Sequence, residues 1–435
     1  MKSINVFSLT LLMLLFLSCS NENEMQSEDT EEQEEVSDNP DDSEASIEEI
    51  IYFTYQDFQF EGLEKWIILH DENGNLIDYK QTTNEATLDF VISEDAVPEK
   101  VSVTKLVYSQ DQAGNNLDHR LETYTDLEIG SVWKDRPYSI EGNLNGNFDL
   151  QVNNISEVEY VLISRPSGIL RAGSSNIDEI TGNTLQLMDI PLYEDQEYMV
   201  SIRGADGLTR YLLLMPENDI DYQYDYTDLQ EFDEDLALDL PPNVFNLCFT
   251  GGFKTNDLNT YWNYGHRFGE YIGNASGVLN LGYIDGYERY RTYVSIMRED
   301  FTYTFQTIGE KLQNITIPDR PSFALENPSI YDLEFSSDLN PITKNTRHES
   351  IIVDEQNRYL NTTWLVYSTG ITSQKIGKLP DDILERYPDM DSDGLELKAV
   401  SLFTQSYEQQ QLFEDETSKR RTGNYTSESY VFRGF

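Results

Sequence analysis

The chain has 435 residues, with 79 Asp or Glu against 30 Lys or Arg and a formal net charge of −49 at pH 7. A surface this acidic repels phosphate backbones and anionic headgroups, which excludes nucleic acid as a partner. We expect a neutral or cationic partner, or divalent cations. The only cysteines are Cys19 and Cys248, which excludes a disulfide-rich fold and leaves stability to the burial of a hydrophobic core.

The N-terminus carries an export signal. Lys2 is followed by an almost entirely apolar stretch over residues 6–17. A run of this length is typical of a signal-peptide core and is too short to span a bilayer as a helix. We therefore predict a signal peptide over residues 1–18, with cleavage before Cys19. An ordinary secretory signal, in which the cysteine is incidental, is the alternative.

The residues at the cleavage point suggest a lipid anchor. The stretch Phe16-Leu17-Ser18-Cys19 resembles the lipobox of bacterial lipoproteins, with Phe in place of the usual Leu or Val at the first position. The resemblance implies diacylglycerol on the Cys19 sulfur and an acyl chain on the new amino group. Because each buried CH₂ contributes about 0.8 kcal/mol, several chains would hold the protein to a membrane.

An acidic segment follows the cysteine. Residues 20–49 contain 14 Asp or Glu and no Lys or Arg, so they repel one another and bury little apolar surface. We predict that residues 19–49 form an extended, disordered tether. An acidic run at this position is similar to the export signal of surface-exposed lipoproteins of the Bacteroidota. That similarity implies the outer membrane, with the body facing outside the cell, and a plain spacer is the alternative.

Beyond residue 50 the hydrophobic pattern has a period of two, which is typical of strands with one face on a core. Four apolar strands lead into glycine turns, and two pairs of these glycines recur with offsets of 94 and 93 residues. The recurrence predicts a duplicated module of about 90 residues. The glycines are Gly74, Gly114, Gly168 and Gly207.

The expected fold class is all-β. A module of this size fits an immunoglobulin-like or transthyretin-like β-sandwich, and we place two in tandem at residues 50–140 and 141–217. Residues 218–242 are rich in acids and end in Pro241-Pro242, which indicates an acidic linker or a frayed edge strand. The remainder, 243–435, is predicted to be a larger β-rich C-terminal domain.

One acidic loop is a candidate calcium site. Asp389, Asp391 and Asp393 alternate before Gly394, as in the first half of an EF-hand loop. The resemblance ends there, because position twelve of such a loop is Val400 rather than a bidentate Glu. A solvated acidic turn is the alternative, since Asp-Gly turns are frequent.

An aromatic cluster is a candidate ligand site. Tyr261, Trp262, Tyr264 and Arg267 combine flat rings with a polar donor, which is what sugar recognition uses. The alternative is cross-strand packing within a sheet. Cys248 lies in an apolar, strand-like run and is expected to be a buried, inert thiol.

Catalytic motifs are missing from the sequence: it has no phosphate-binding glycine loop, no Gly-x-Ser-x-Gly elbow, and no second histidine after His348-Glu349. We expect a non-catalytic surface binding protein, similar in outline to the glycan-capturing lipoproteins of the Bacteroidota. Its partner would be a polysaccharide or another surface protein. A structural or adhesive, pilin-like subunit and a hydrolase in the C-terminal domain are the alternatives.

Overall fold

A computed structural model gives the fold of the chain outside its N-terminus. The signal peptide and tether predicted over residues 1–49, including Cys19, lie outside the described residues except for Glu49, which begins the first strand. Of those described, 65% lie in strands and 5% in helices, so the predicted all-β class is confirmed. The structure describes residues 49–57, 63–82, 86–111, 116–135, 143–155, 157–166, 168–172, 179–193, 196–254, 265–274, 277–370, 372–405, 409–418 and 424–435.

The first sandwich packs two sheets face to face. One layer has the strand order β4-β1-β7, with β1 antiparallel to β4 and parallel to β7. The other has the order β3-β2-β5-β6, all antiparallel. Alternate residues from both layers form a core, as the period of two predicts. The strands are β1 (Glu49–Asp57), β2 (Glu64–Asp71), β3 (Leu76–Thr82), β4 (Thr87–Ser93), β5 (Val101–Gln110), β6 (Asn116–Leu127) and β7 (Ser131–Asp135).

The second sandwich has two layers of its own. They have the orders β11-β12-β8-β15 and β10-β9-β13-β14-β16. A separate core fills the space between them. The strands are β8 (Leu144–Asn153), β9 (Val158–Arg165), β10 (Gly168–Ala172), β11 (Glu179–Thr181), β12 (Thr184–Tyr193), β13 (Tyr198–Gly204), β14 (Thr209–Leu214), β15 (Asp221–Asp225) and β16 (Gln230–Glu231).

The two sandwiches share one connectivity. The set β4-β1-β7 corresponds to β12-β8-β15, with the same antiparallel and parallel neighbours, and β3-β2-β5-β6 corresponds to β10-β9-β13-β14. Gly74 turns between β2 and β3, and Gly168 opens β10 after the equivalent strand β9. Gly207, between β13 and β14, has a φ of 74°, which a side chain would disfavour. The offset between Gly74 and Gly168 therefore joins equivalent hairpins, as the predicted duplication requires, whereas Gly114, the counterpart of Gly207, lies outside the described residues.

The acidic segment 218–242 differs from the predicted linker. β15 completes one layer of the second sandwich, and residues 234–240 form a further strand. In that strand Leu236, Leu238 and Leu240 are buried while the residues between them face solvent. The acids of this strand are all exposed to solvent. Because acids are so dense in the sequence around it, the segment looks like a linker although its leucines alternate. The second sandwich therefore continues past the predicted boundary at residue 217.

In its described residues, the C-terminal region adds thirteen strands and two helices. They are β17 (Glu234–Leu240), β18 (Phe245–Phe253), β19 (His266–Gly273), β20 (Gly277–Tyr283), β21 (Arg289–Met297), β22 (Phe301–Gly309), β23 (Phe323–Asn327), β24 (Asp332–Ser337), β25 (Thr343–Val353), β26 (Tyr359–Thr369), β27 (Ser373–Lys375), α1 (Asp381–Arg386), β28 (Glu396–Gln405), α2 (Gln409–Ser418) and β29 (Tyr425–Phe432).

One sheet of 12 strands connects the first sandwich to this region. Its order is β19-β18-β21-β22-β29-β28-β25-β26-β6-β5-β2-β3. The junction is a parallel pairing of β26 with β6, where Tyr124 and Tyr367 stack at 4.6 Å between ring centroids. The predicted separation of residues 50–140 from residues 243–435 therefore does not hold at the level of the sheet. The chain's last strand, β29, lies inside the sheet between β22 and β28.

Two smaller sheets cover parts of the large one. They have the orders β17-β20 and β23-β24-β27. Their buried side chains, among them Leu281 and Leu333, belong to one extensive hydrophobic core with the large sheet. Within the described part of the chain, no helix is long and apolar enough to cross a membrane.

Candidate functional site

Of the four residues of the predicted aromatic site, the structure describes only Arg267. Tyr261, Trp262 and Tyr264 lie outside the described residues. Arg267 lies in β19, where its guanidinium stacks on the Phe249 ring at 3.7 Å and pairs with Glu270.

The backbone of Arg267 is also occupied. Its N–H and C=O both bond the hydroxyl of Ser164 in the second sandwich, at 3.2 and 3.0 Å. In the described structure Arg267 therefore connects β19 to its neighbours. The tyrosines that follow in sequence, at 283, 287 and 290, are buried in the core, as the packing alternative predicts.

The predicted calcium loop precedes β28, and its three carboxylates have different surroundings. Asp391 accepts hydrogen bonds from the Ser350 hydroxyl at 2.5 Å and from the Gly394 N–H at 2.8 Å. Asp389 acts electrostatically on His119, whereas Asp393 lines an open pocket. No group of three or more His, Cys, Asp or Glu residues suited to a metal occurs among the described residues, which include all three aspartates. The loop thus does not gather them into one ligand set, and calcium binding stays a prediction.

The pocket beside this loop has a volume of about 820 Å³. Three segments that are distant in sequence line it: residues 325–331 at the end of β23, residues 392–398 leading into β28, and the C-terminal pair Gly434-Phe435. Its volume lies within the range of small-ligand sites.

Aromatic side chains form part of the wall. Phe435 is 48% exposed, and its ring lies 5.5 Å from that of Phe323, which stacks on Phe432 at 4.3 Å. Tyr331 is half-buried and meets the buried Trp364 edge-on at 6.0 Å. Because Phe323 packs beside Phe435 and Trp364 packs beside Tyr331, both rings of the wall have packed neighbours before any ligand arrives.

Polar groups face the same space. Asn327, Asp393, Glu396 and Lys398 all line the pocket. Lys398 pairs with Glu396 at 2.5 Å on the exposed rim. Burial and the nearby Asp393 charge raise the pKa of Tyr331, so its hydroxyl stays protonated at neutral pH. The pocket therefore presents carboxylate, amide, ammonium and hydroxyl groups next to aromatic rings.

Of the residues that line the pocket, only Asp393 is among the predicted site residues, where it is a candidate calcium ligand. Asn327 begins a turn in which its side chain accepts the Ser329 N–H at 3.1 Å, and the Asn-Pro-Ser sequence is a turn signal. No pattern in the neighbouring sequence indicates that this turn and Phe435 line the same pocket, because that depends on the position of β29 in the sheet.

Cys248 lies in β18, inside the hydrophobic core. Cys248 is fully buried, and burial raises the pKa of its thiol to about 12. A thiol with so high a pKa supplies almost no thiolate at neutral pH. Cys248 is therefore the inert core residue that the sequence predicts.

Comparisons with known proteins leave the function open. No family model matches the chain, and no curated protein matches it. It is similar to a Salmonella alpha-2-macroglobulin, with 9% identity over 85% of this chain and 27% of that one, at a TM-score of 0.12. It is also similar to a Ca²⁺-stabilized, ice-binding adhesin of an Antarctic bacterium, with 10% identity over 84% of this chain and 89% of that one, at a TM-score of 0.11. The chain thus spans only 27% of the macroglobulin, and neither score is high enough to carry an argument.

Proposed function

We propose that this chain is a non-catalytic binding protein whose C-terminal pocket takes a neutral, hydroxyl-rich ligand such as a polysaccharide segment. The supporting observation is the open pocket of about 820 Å³ with Tyr331 and Phe435 beside Asn327, Asp393 and Glu396. Aromatic faces pack against the C–H groups of sugar rings, and carboxylate and amide oxygens accept hydrogen bonds from sugar hydroxyls.

Charge supports a neutral ligand over an anionic one. The chain carries a formal net charge of −49, and two of the charged groups at the pocket are carboxylates. An anionic polysaccharide would meet this field at every approach, because like charges repel over about 10 Å at moderate salt. A neutral glycan avoids that repulsion.

The cellular location forms part of the proposal. The protein would be held to the outer membrane by lipid on Cys19 and would face outside the cell. Labelling with a palmitate analogue is expected to mark the parent chain and to leave Cys19→Ala unmarked. Protease added to intact cells should then digest the labelled protein. Survival of the protein until the cells are lysed would place it on the inner face instead.

The binding proposal is tested on residues 47–435, the compact unit that contains all the described strands. This fragment is passed over immobilised neutral polysaccharides, and sugar ends released into solution are assayed. Retention without release supports the proposal. Release would assign a hydrolase and direct attention to Asp393 and Glu396. Neither retention nor release would favour the structural or adhesive alternative.

Variants locate the bound ligand. Phe435→Ala is expected to weaken retention roughly tenfold, because an aromatic contact contributes about 0.5–1.5 kcal/mol and 1.4 kcal/mol is a factor of ten. Tyr359→Ala is the matched control, since Tyr359 is a ring 55% exposed outside the pocket lining. Equal weakening by both changes would rule out this pocket. Loss of retention in chelator would support the calcium prediction for the Asp389–Asp393 loop.

A further inference from the structure

The interior of the first sandwich holds a lysine against two carboxylates. The Nζ of Lys65, in β2, lies 2.8 Å from Oδ1 of Asp57, the last residue of β1. The two side chains are 2% and 1% exposed. Asp135, the last residue of β7, places its Oδ2 3.4 Å from the same Nζ. A nucleophilic nitrogen, a carboxyl carbon and a second carboxylate thus meet in one place.

The surrounding side chains fix this arrangement. The Tyr55 hydroxyl donates to Oδ2 of Asp135 at 2.8 Å, and the Thr82 hydroxyl donates to Oδ2 of Asp57 at 3.3 Å. Lys105 lies 3.5 Å from the other Asp135 oxygen. Burial would raise the pKa of Asp135, but Lys105 and Lys65 outweigh it and hold that pKa below its usual range. Asp135 is therefore held as a carboxylate 3.4 Å from the Lys65 ammonium, within reach of its protons.

Two opposite charges in so dry a site are costly. Removing a charged pair from water costs several kcal/mol for each ion, and the attraction between the partners often fails to offset that cost. Converting the ammonium and the carboxylate into one neutral amide would remove both charges from the interior. We propose that Lys65 and Asp57 join through an intramolecular isopeptide bond.

The reaction is a condensation that needs no further reagent. Asp135 takes a proton from the Lys65 ammonium, and the neutral Nζ attacks Cγ of Asp57. A C–N bond forms and a C–O bond breaks. The departing oxygen takes the proton held by Asp135 and the second proton lost from nitrogen, and it leaves as water. The nitrogen keeps one hydrogen as the amide N–H, and Asp135 ends as the carboxylate that it was.

Proximity lowers the barrier to the reaction. Reacting groups that are held in contact behave as if present at about 10⁵–10⁸ M, which offsets the low reactivity of a carboxylate toward an amine. The Asp135 side chain is 19% exposed, so the product water has a route to solvent on that side of the cluster. The nearly complete burial of Lys65 and Asp57 then protects the amide from hydrolysis.

The bond would join the two layers of the sandwich. β1 belongs to the sheet β4-β1-β7, whereas β2 belongs to the 12-stranded sheet. No disulfide occurs among the described residues, where Cys248 is a free thiol. The isopeptide would supply a covalent link at the point where the chain passes from the first strand to the second.

Peptide mapping of residues 47–435, the compact unit that lacks the lipidated cysteine, tests the proposal directly. The protein is fully unfolded, digested with trypsin and analysed by mass spectrometry. We expect no cleavage after Lys65, and the peptide that contains Asp57 and Lys65 should be lighter than its sequence by one water. Cleavage after Lys65, with peptides of full mass, would overturn the proposal. A cross-linked peptide that instead contains Asp135 would overturn the assignment to Asp57.

Three variants show whether the missing mass comes from the Lys65–Asp57 bond or from a loss of water elsewhere in the chain. Lys65→Met should restore the full mass, and Asp135→Asn should leave most of the chain unlinked because the proton acceptor is gone. Lys398→Met, which replaces an exposed lysine in an ion pair, should keep the deficit. A deficit that persisted in Lys65→Met would assign the lost water elsewhere. If Lys65→Met fails to fold, the parent map alone decides.

Discussion

His348 lies in the middle of β25 with its side chain fully buried, and neither ring nitrogen has a hydrogen-bond partner among the described residues. Burial lowers the pKa of this imidazole from 6.5 to about 4. Between those values the unfolded chain holds the proton more readily than the folded chain. The stability linked to His348 is therefore fully present above the unfolded pKa and is lost as the pH falls toward the folded one.

This titration predicts a pH-dependent stability. The free energy of unfolding is compared at pH 7.5 and pH 5.0. Below the unfolded pKa of 6.5, His348 should lower it by roughly 1.4 kcal/mol for each pH unit. The substitution His348→Leu should remove that part of the loss, because leucine does not titrate. Urea unfolding of both proteins at the two pH values measures the difference. Equal losses in the two proteins would contradict the prediction.

At the scale of elements, the pairing of β26 with β6 holds the 12-stranded sheet together. Trp364 in β26 is 1% exposed, and its Nε1 donates to the Thr123 hydroxyl of β6 at 2.8 Å. Thr123 in turn shares a hydrogen bond of 2.7 Å with Thr104 of β5. A single ring thus secures three neighbouring strands through both packing and hydrogen bonding.

Truncation of that ring should be severe. We expect Trp364→Ala to lower the free energy of unfolding by about 3–5 kcal/mol, because a large buried ring leaves a cavity and the Thr123 hydroxyl loses its donor. Tyr359→Ala is the control, since it removes a ring from the exposed start of the same strand and should cost about 0.5 kcal/mol or less. Chemical denaturation curves compare them. Similar costs would show that the junction is not a point of stability.

At the scale of the whole molecule, the two sandwiches differ in their independence. The core of the second contains only its own residues, from Phe148 to Leu229. The core of the first includes Phe413 from α2, and Tyr367 of β26 packs against it. The space between the layers of the second sandwich is therefore filled by its own residues, although Met199 and Tyr211 pack into the C-terminal core. The first sandwich is completed by residues more than 230 positions later in the chain.

This difference predicts the behaviour of fragments. Residues 143–231 should fold alone and unfold in one cooperative urea transition. Residues 49–135 should lack a cooperative transition and should aggregate, because β6 would expose an unpaired edge and the core would lack Phe413. Circular dichroism and light scattering on the two fragments make the comparison. A stable, monomeric first fragment would contradict it.

Much of the architecture could be predicted from local pattern. Side chains that alternate along one strand report which face is buried, and glycines at positive φ report tight turns, so the all-β class and the duplicated hairpins follow from neighbouring residues. The candidate site could be predicted only in part. The aspartate pattern draws attention to the loop that contains Asp393, but it does not indicate that Asp393 and Glu396 line one pocket with two aromatic rings.

The sequence by itself determined the strand-forming pattern, the acidity and the two sandwich modules, because each depends on composition, on residues a few positions apart or on a repeat along the chain. Only the tertiary structure decided that β6 pairs with β26, that the acidic stretch before residue 242 supplies strands, and that Phe435 and Tyr331 line one pocket. It also decided that Lys65 faces Asp57 and Asp135 inside a core. The physical reason is that strand pairing takes its partner from anywhere in the chain, so register and neighbour are set by the packing of the whole sheet.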